Sequence, residues 1–209
     1  MAKVIYTIGR EFGSKGHEIG EMLAKRLDIP YYDNELLARA SKDSGYCQEI
    51  LESCDEKPTT SFLYNLVFDT YNTSGISTGN FLDMPLNQRV FLAQFDTIKK
   101  IAEEGPCVIV GRCADYALAD RENCLNLFIH CDFDKRVKHI MQRYDLSEDK
   151  AKDMINKKDK QRQSYYNYYS SNKWGMCGTY DLSINSDLLG VEETAKVIVE
   201  MAKSAVNSA

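Results

Sequence analysis

The stretch that decides the fold is residues 3–20, KVIYTIGREFGSKGHEIG. It opens with a short β-branched and aromatic run over residues 3–8, which ends at Gly9 and is typical of a buried parallel strand. A helix is predicted over residues 18–27, because apolar residues recur there at helical spacing while charged residues cover the other face. The sequence therefore predicts a strand, a glycine-rich loop and a helix in immediate succession.

A loop between a strand and a helix is where backbone N–H groups and the helix dipole converge on an anion. The candidate phosphate-binding residues are Gly9, Gly13, Ser14, Lys15, Gly16 and His17. The loop departs from the pattern G-x-x-x-x-G-K-[ST], since no Gly-Lys-Ser/Thr triplet occurs. Lys15 or His17 is then the candidate source of positive charge, and Ser14 is the candidate Mg²⁺ ligand. A plain strand-to-helix connection is the alternative interpretation.

The rest of the chain continues the alternation of strands and helices. Further short apolar runs without polar alternation, as expected for strands covered on both faces, lie at 107–110 and 125–129. Short strands are also predicted at 29–32 and 180–186. Helical patterns cover 35–40, 87–104, 134–143, 147–163 and 191–206. With 209 residues, this order predicts one α/β domain built on a parallel sheet. The polar segment 42–85 is either a partner surface or an acceptor-binding region, and the tyrosines of 165–169 either pack in the core or stack on a base.

The net charge, the apolar runs and the cysteines of the chain argue against several classes of function. The net charge of −5 gives the chain no overall attraction to nucleic acid polymers or anionic membranes. No apolar stretch approaches the roughly 18 residues of a membrane span, and the first residues do not form a secretory signal. The seven cysteines lack the close pairs of zinc or redox sites, so we expect free buried thiols in a cytoplasmic protein. A homo-oligomer is compatible with this composition.

Five motifs follow one another along the chain: residues 9–27 (GREFGSKGHEIGEMLAKRL), 29–37 (IPYYDNELL), 108–112 (VIVGR), 157–162 (KKDKQR) and 180–186 (YDLSINS). In this order they resemble the cytidylate kinase-like family. The resemblance implies a three-layer α/β/α P-loop NTPase-type domain with a helical lid, placed at 143–178, and an acceptor-binding insertion at 42–85. It also implies transfer of a phosphoryl group from ATP, with Mg²⁺, to a nucleoside monophosphate, with CMP or dCMP as the first expectation.

The resemblance also assigns roles to side chains. The catalytic candidates are Lys15, Arg112, Lys158 and Arg162, the acceptor-binding candidates are Asp33, Arg39, Arg112 and Asp159, and Arg143 is a further ATP-binding candidate. Arg112 follows a strand, and ligands dock at the carboxyl ends of strands in open parallel sheets. Lys158 stands where the family has its first lid arginine. The alternatives are a helix cap for Asp33, a surface ion pair for Arg112 and a solvated helix face for the lysines.

Two functional hypotheses follow, and they differ in catalysis. The first is an active nucleoside monophosphate kinase. The second is a catalytically impaired nucleotide-binding or regulatory protein with the same fold, because the altered loop lacks the lysine in its usual register. A flavin- or dinucleotide-dependent oxidoreductase is less well supported, since the loop lacks G-x-G-x-x-G.

Overall fold

The computed structural model describes residues 4–57 and 84–207. Within these ranges, five parallel strands form one sheet in the order β2-β3-β1-β4-β5. The strands are β1 (Ile5–Arg10), β2 (Tyr31–Tyr32), β3 (Val108–Val110), β4 (Cys124–His130) and β5 (Leu182–Asn185). The first strand of the chain therefore lies at the centre of the sheet, with its carboxyl end between those of β3 and β4.

Helices connect the strands. They are α1 (Gly16–Leu27), α2 (Asn34–Ser44), α3 (Gln48–Cys54), α4 (Leu86–Glu104), α5 (Ala114–Ala117), α6 (Phe133–Tyr144), α7 (Glu148–Tyr169) and α8 (Ser186–Asn207). The backbone of α8 leaves helical geometry at Gly190, and a short 3-10 turn, Cys177–Thr179, precedes β5.

Two apolar layers flank the sheet, because its strands carry apolar side chains on both faces. On one face, Ile8 and Val110 pack against Leu23 of α1 and Ile198 of α8. On the other face, side chains of β1 and β3 pack against α2, α4 and α5. The three layers of the predicted α/β/α arrangement are therefore present, and continuous apolar runs such as 108–110 indicated this double burial in the sequence.

The helix that follows α6 is longer than the sequence pattern indicated. α7 continues to Tyr169, so the tyrosine cluster is its last turn rather than a separate segment. Tyr165 and Tyr169 lie one turn apart, and the ring of Tyr169 stacks on Phe91 of α4 at 3.9 Å between centroids. The core interpretation of this cluster is therefore confirmed for its buried members.

Three further expectations concern the cysteines, the segment 42–85 and membrane spans. All seven cysteines are free, but the expectation that all are buried holds only for Cys54, Cys107 and Cys113. Cys124 and Cys131 are partly exposed, and Cys47 and Cys177 are exposed because they lie in connections outside the packed layers. In the segment 42–85 the structure places α3, while residues 58–83 lie outside the described residues. Among the helices described, none has both the length and the apolar character needed to cross a membrane.

Candidate phosphate-binding site

The glycine-rich loop joins the end of β1 to the start of α1 in a tight turn. Gly13 has a φ of +84°, which favours glycine. A β-carbon on Gly16 would lie 2.6 Å from the Cβ of Arg10, so only glycine fits where α1 begins. Lys15 caps this helix in the left-handed conformation, and its side chain is exposed. The N–H groups of the first helical turn have no acceptor within the helix, so they are available to an anion at this end of α1.

Helices α6 and α7 hold the loop from outside. Asp159 of α7 accepts a hydrogen bond from the backbone N–H of Phe12 at 2.7 Å, and Arg136 of α6 donates both to Asp159 at 2.5 Å and to the carbonyl of Phe12 at 3.2 Å. His139 Nδ1 lies 3.0 Å from the carbonyl oxygen of Gly13. These contacts fix the loop backbone, so Asp159 acts on the loop rather than facing open space.

In front of the loop lies a hollow of about 230 Å³ that is partly open to solvent. We call it the loop hollow. Its lining includes Gly13, Lys15, Gly16, His17, Arg143 and Arg162. Arg143 is half-exposed and pairs with Glu18 at 3.0 Å. The loop backbone and several basic side chains therefore share one concave surface, which is the arrangement that a polyphosphate group requires.

Two buried arginines, Arg10 and Arg112, lie at the carboxyl ends of β1 and β3. The partly buried Arg162 of α7 lies beside them, and we call these three residues the three-arginine cluster. The side chain of Arg112 is only 2% exposed. Its Nη1 donates to Asp33 at 2.6 Å, while Nε and Nη2 donate to the two carboxylate oxygens of Asp55 at 3.1 and 2.9 Å. Arg112 is thus not a surface ion pair.

Glu56 links the other two arginines of the cluster. Its Oε1 accepts from Arg10 Nη1 at 2.8 Å, and its Oε2 accepts from Arg162 Nε at 3.2 Å. Arg162 also donates to the backbone carbonyl of Arg10 at 3.3 Å, and its guanidinium lies over the ring of Phe12. Helix α7 is therefore tied to β1 through a shared carboxylate.

The charges of the cluster determine the ionisation of its acids. Burial by itself raises the pKa of Glu56, but the charges of Arg10, Arg162 and Arg112 outweigh burial and leave the pKa well below its ordinary value. The same balance, set mainly by Arg10 and Arg112, lowers the pKa of Asp33. In turn, burial alone would lower the pKa of Arg112, but Asp55 and Asp33 raise it. Glu56 and Asp33 are therefore ionised and Arg112 is charged at neutral pH.

Asp33 connects the cluster to the loop. Its second oxygen, Oδ2, lies 3.0 Å from His17 Nδ1, and the hydroxyl of Tyr31 lies 2.7 Å from the same nitrogen. Although Asp33 directly precedes α2, its side chain makes no capping hydrogen bond to that helix. The helix-cap interpretation is therefore wrong, because the arginines and the histidine outcompete the helix for this carboxylate.

A second recess lies on the far side of the cluster and is walled by aromatic rings, so we call it the aromatic cleft. It is lined by Gly9, Asp115, Tyr166, Trp174 and Tyr180 together with the three arginines. The hydroxyl of Tyr166 donates a hydrogen bond to Asp115, and burial raises the pKa of that carboxyl group. Arg10 and Arg162 thus line both the loop hollow and the aromatic cleft.

The structure brings most of the predicted site residues together, but not all. Around the two recesses lie Gly9, Gly13, Lys15, Gly16, His17, Asp33, Arg112, Arg143 and Arg162. Arg39 lies at the surface instead, paired with Glu104 and Asp43. Lys158 is exposed on α7 and lines neither recess. Ser14 is fully buried, and its hydroxyl donates to the carbonyl of Glu11 at 2.9 Å.

Sequence reasoning missed four residues of the site, namely Arg10, Asp55, Glu56 and Arg136. Arg10 carried a usable signal, because it ends the first strand just as Arg112 follows β3. Asp55 and Glu56 carried none, since their partners lie 46 to 106 residues away along the chain.

Known proteins resemble this chain in sequence and in structure. Residues 5–188 match the model of the cytidylate kinase-like family. An uncharacterized protein from Eubacterium ventriosum has a similar structure, with a TM-score of 0.70, 32% sequence identity, and coverage of 96% of this chain and 99% of that chain. Shikimate kinase from Bacteroides thetaiotaomicron shares the fold with a TM-score of 0.53 at 12% identity, over 96% of this chain and 98% of that chain. No curated protein matches the chain.

Proposed function

Because the chain belongs to the cytidylate kinase-like family, we propose that it transfers a phosphoryl group from ATP to a nucleoside monophosphate, with CMP or dCMP as the first acceptor to test. One observation carries the proposal. The loop hollow opens directly onto the three-arginine cluster, with Arg10 and Arg162 lining both recesses. A donor polyphosphate and an acceptor phosphate can therefore meet at the guanidinium groups of Arg10 and Arg162.

The geometry suggests a division of roles among the residues. The N–H groups of the loop and the start of α1, with Lys15 and Arg143, would hold the phosphates of ATP in the loop hollow. Arg162 and Arg10 would face the transferring group, while Arg112, aligned by Asp33, would bind the acceptor phosphate. Phosphoryl transfer depends mainly on positioning and on positive charge near the equatorial oxygens, and this arrangement provides both.

When bound, Mg²⁺ would supply positive charge at the phosphates of ATP in the loop hollow. In residues 4–57 and 84–207, no three His, Cys, Asp or Glu side chains are grouped in a way that could hold a metal ion. This fits a magnesium ion that is held mostly by phosphates and water, as is usual for kinases. For Ser14 to contribute, its hydroxyl would have to leave the carbonyl of Glu11.

The remaining assignments are part of the same proposal. We treat residues 1–209 as one domain, with residues 143–178 as a lid and 42–85 as the acceptor-binding region. Arg39 and Lys158 are the weakest site candidates, because one pairs with Glu104 at the surface and the other is exposed.

A specific observation favours a second candidate function, a nucleotide-binding protein with impaired catalysis. Lys15 caps α1 in the left-handed conformation with its side chain exposed, so its charge is not confined to the phosphate site. In such a protein ATP would bind, but transfer would be slow or absent.

The deciding experiment is a coupled assay for ADP release with ATP, Mg²⁺ and each nucleoside monophosphate at millimolar concentration. Turnover with CMP or dCMP above the ATP-only rate supports the kinase. In parallel, thermal denaturation with and without ATP reports binding, because a ligand that binds only the folded state raises the melting temperature. Stabilisation by ATP without turnover for any acceptor supports the impaired protein, and neither effect refutes both.

A further inference from the structure

The acidic dipeptide Asp55–Glu56, directly after α3, fills the three-arginine cluster. Asp55 binds Arg112 through both carboxylate oxygens, at 3.1 and 2.9 Å. Glu56 divides its two oxygens between Arg10 and Arg162, at 2.8 and 3.2 Å. Guanidinium groups bind phosphate with the same two-oxygen geometry. The carboxylates therefore satisfy the donors that a phosphoryl group would use.

The charges in the cluster balance. Three arginines face three carboxylates, those of Asp33, Asp55 and Glu56, and every side chain of the cluster is at most about one fifth exposed. With its positive charge neutralised, the cluster attracts an incoming anion only weakly unless a carboxylate withdraws. A phosphate group and the dipeptide consequently compete for the same guanidinium groups.

The backbone conformation at Glu56 favours displacement of its side chain from the arginine cluster. Glu56 has a φ of +50°, in the left-handed region that is unfavourable for a residue with a β-carbon. It lies beyond the end of α3 and next to the exposed Lys57, so its carboxylate reaches the arginines from a connection rather than from a packed element. Withdrawal of this side chain would leave the sheet and its two apolar layers in place.

We propose that Asp55 and Glu56 are specificity-determining residues that occupy the phosphate site until a ligand of higher negative charge displaces them. The inference rests on the proposed function, since it takes the arginine cluster as the place where phosphates bind. A polyphosphate brings several negative charges and oxygens, so it can replace both carboxylates. A monovalent anion cannot offset their loss, and the site therefore selects multiply charged phosphate groups over monovalent anions.

The first test is titration calorimetry with inorganic pyrophosphate on the full chain and on Glu56→Gln. Removing the competing charge is expected to tighten pyrophosphate binding about tenfold, within the range usual for coupled sites. Glu49→Gln is the matched control, because it removes the same charge from an exposed position of α3. It is expected to bind pyrophosphate like the unmodified protein. Equal or weaker binding by Glu56→Gln would overturn the proposal, as would binding by neither protein.

The second test needs no variant and so applies even if Glu56→Gln does not fold. Hydrogen exchange of the unmodified protein is followed with and without saturating pyrophosphate. Displacement predicts faster exchange in the peptide covering 48–57 and slower exchange in the loop peptide covering 9–18. Unchanged or slower exchange over 48–57 at saturation would overturn the proposal.

These outcomes are separate from those of the kinase assay. If Glu56→Gln binds pyrophosphate more tightly but no nucleoside monophosphate is turned over, the proposed displacement of Asp55 and Glu56 is supported and the kinase function is refuted. If the unmodified protein shows turnover but Glu56→Gln does not change pyrophosphate binding, only the proposed displacement is refuted.

Discussion

Replacing Arg112 by methionine tests whether the arginine cluster stabilises the free protein. The substitution keeps an apolar stem but leaves Asp33 and Asp55 with side chains only 12% and 21% exposed and no bidentate partner. Removing one partner of a buried ion pair costs about 3–5 kcal/mol. Because Asp55 is partly solvated and Arg10 remains 3.9 Å from Asp33, we expect the lower end, about 3 kcal/mol. For a chain of this size, that loss lowers the melting temperature by about 6–12 °C.

Urea unfolding at neutral pH measures the loss, and Arg26→Met is the matched control. Arg26 pairs with Glu192 at 2.8 Å, but this pair is at the surface, so its removal is expected to cost about 0.2–1 kcal/mol. Adding Asp33→Asn to Arg112→Met removes one of the orphaned charges, so the double variant should be less destabilised than the sum of the two single variants. If Arg112→Met is no less stable than Arg26→Met, the buried carboxylates are compensated by other groups and the reasoning is wrong.

Three further predictions concern pH, packing and the loop support. Folding lowers the pKa values of Glu56 and Asp33, so the stability that they contribute is present above their unfolded pKa values of about 4.3 and 3.9 and is lost as pH falls below them. Urea midpoints measured from pH 7 to 3 should therefore fall less steeply for Glu56→Gln than for the unmodified protein. Parallel curves would contradict the lowered pKa of Glu56. Gly16→Ala should cost about 1–3 kcal/mol in thermal or urea unfolding, because its β-carbon would meet the end of β1 at 2.6 Å, whereas Gly178→Ala, whose β-carbon meets nothing within 4 Å, should be near neutral. Asp159→Ala should cost about 1–3 kcal/mol and weaken ATP binding by calorimetry, because it leaves a loop N–H and a buried arginine without their acceptor, and unchanged ATP affinity would show that the loop does not need this support.

Much of the fold could be predicted from sequence because its signals are local. The run at 108–110 is apolar at every position, and a strand covered on both faces has this composition whatever its neighbours. The end of α7 was harder, because tyrosines favour neither helix nor strand strongly enough to decide. Its last turn is helical since Tyr165 and Tyr169 pack on Phe91, which is a tertiary contact that no local pattern contains.

The candidate site could likewise be predicted only in part from the sequence. The loop at 9–20 and the arginine after β3 could be predicted, because both follow from the position of a residue at the carboxyl end of a strand. The acids that face the arginines could not, because the Glu56 and Arg162 pair spans 106 residues. The same limit explains Asp33, which has the sequence position of a helix cap, whereas the choice between a helix N–H and a guanidinium depends on where Arg112 lies in space.

Burial explains why the arginines and the acids occur together. A guanidinium that is to stabilise a transferring phosphate is most effective where water is excluded, since its interaction with charge is strongest there. The same burial makes an uncompensated cation costly before any ligand arrives, so each arginine needs a counter-ion in the free protein. A permanent partner such as Asp33, which also contacts His17, orients Arg112 without leaving. Asp55 and Glu56, which follow α3 in a connection, neutralise the rest, although exchange of Asp55 for phosphate would also break its hydrogen bond from the buried Gln94 at 3.2 Å.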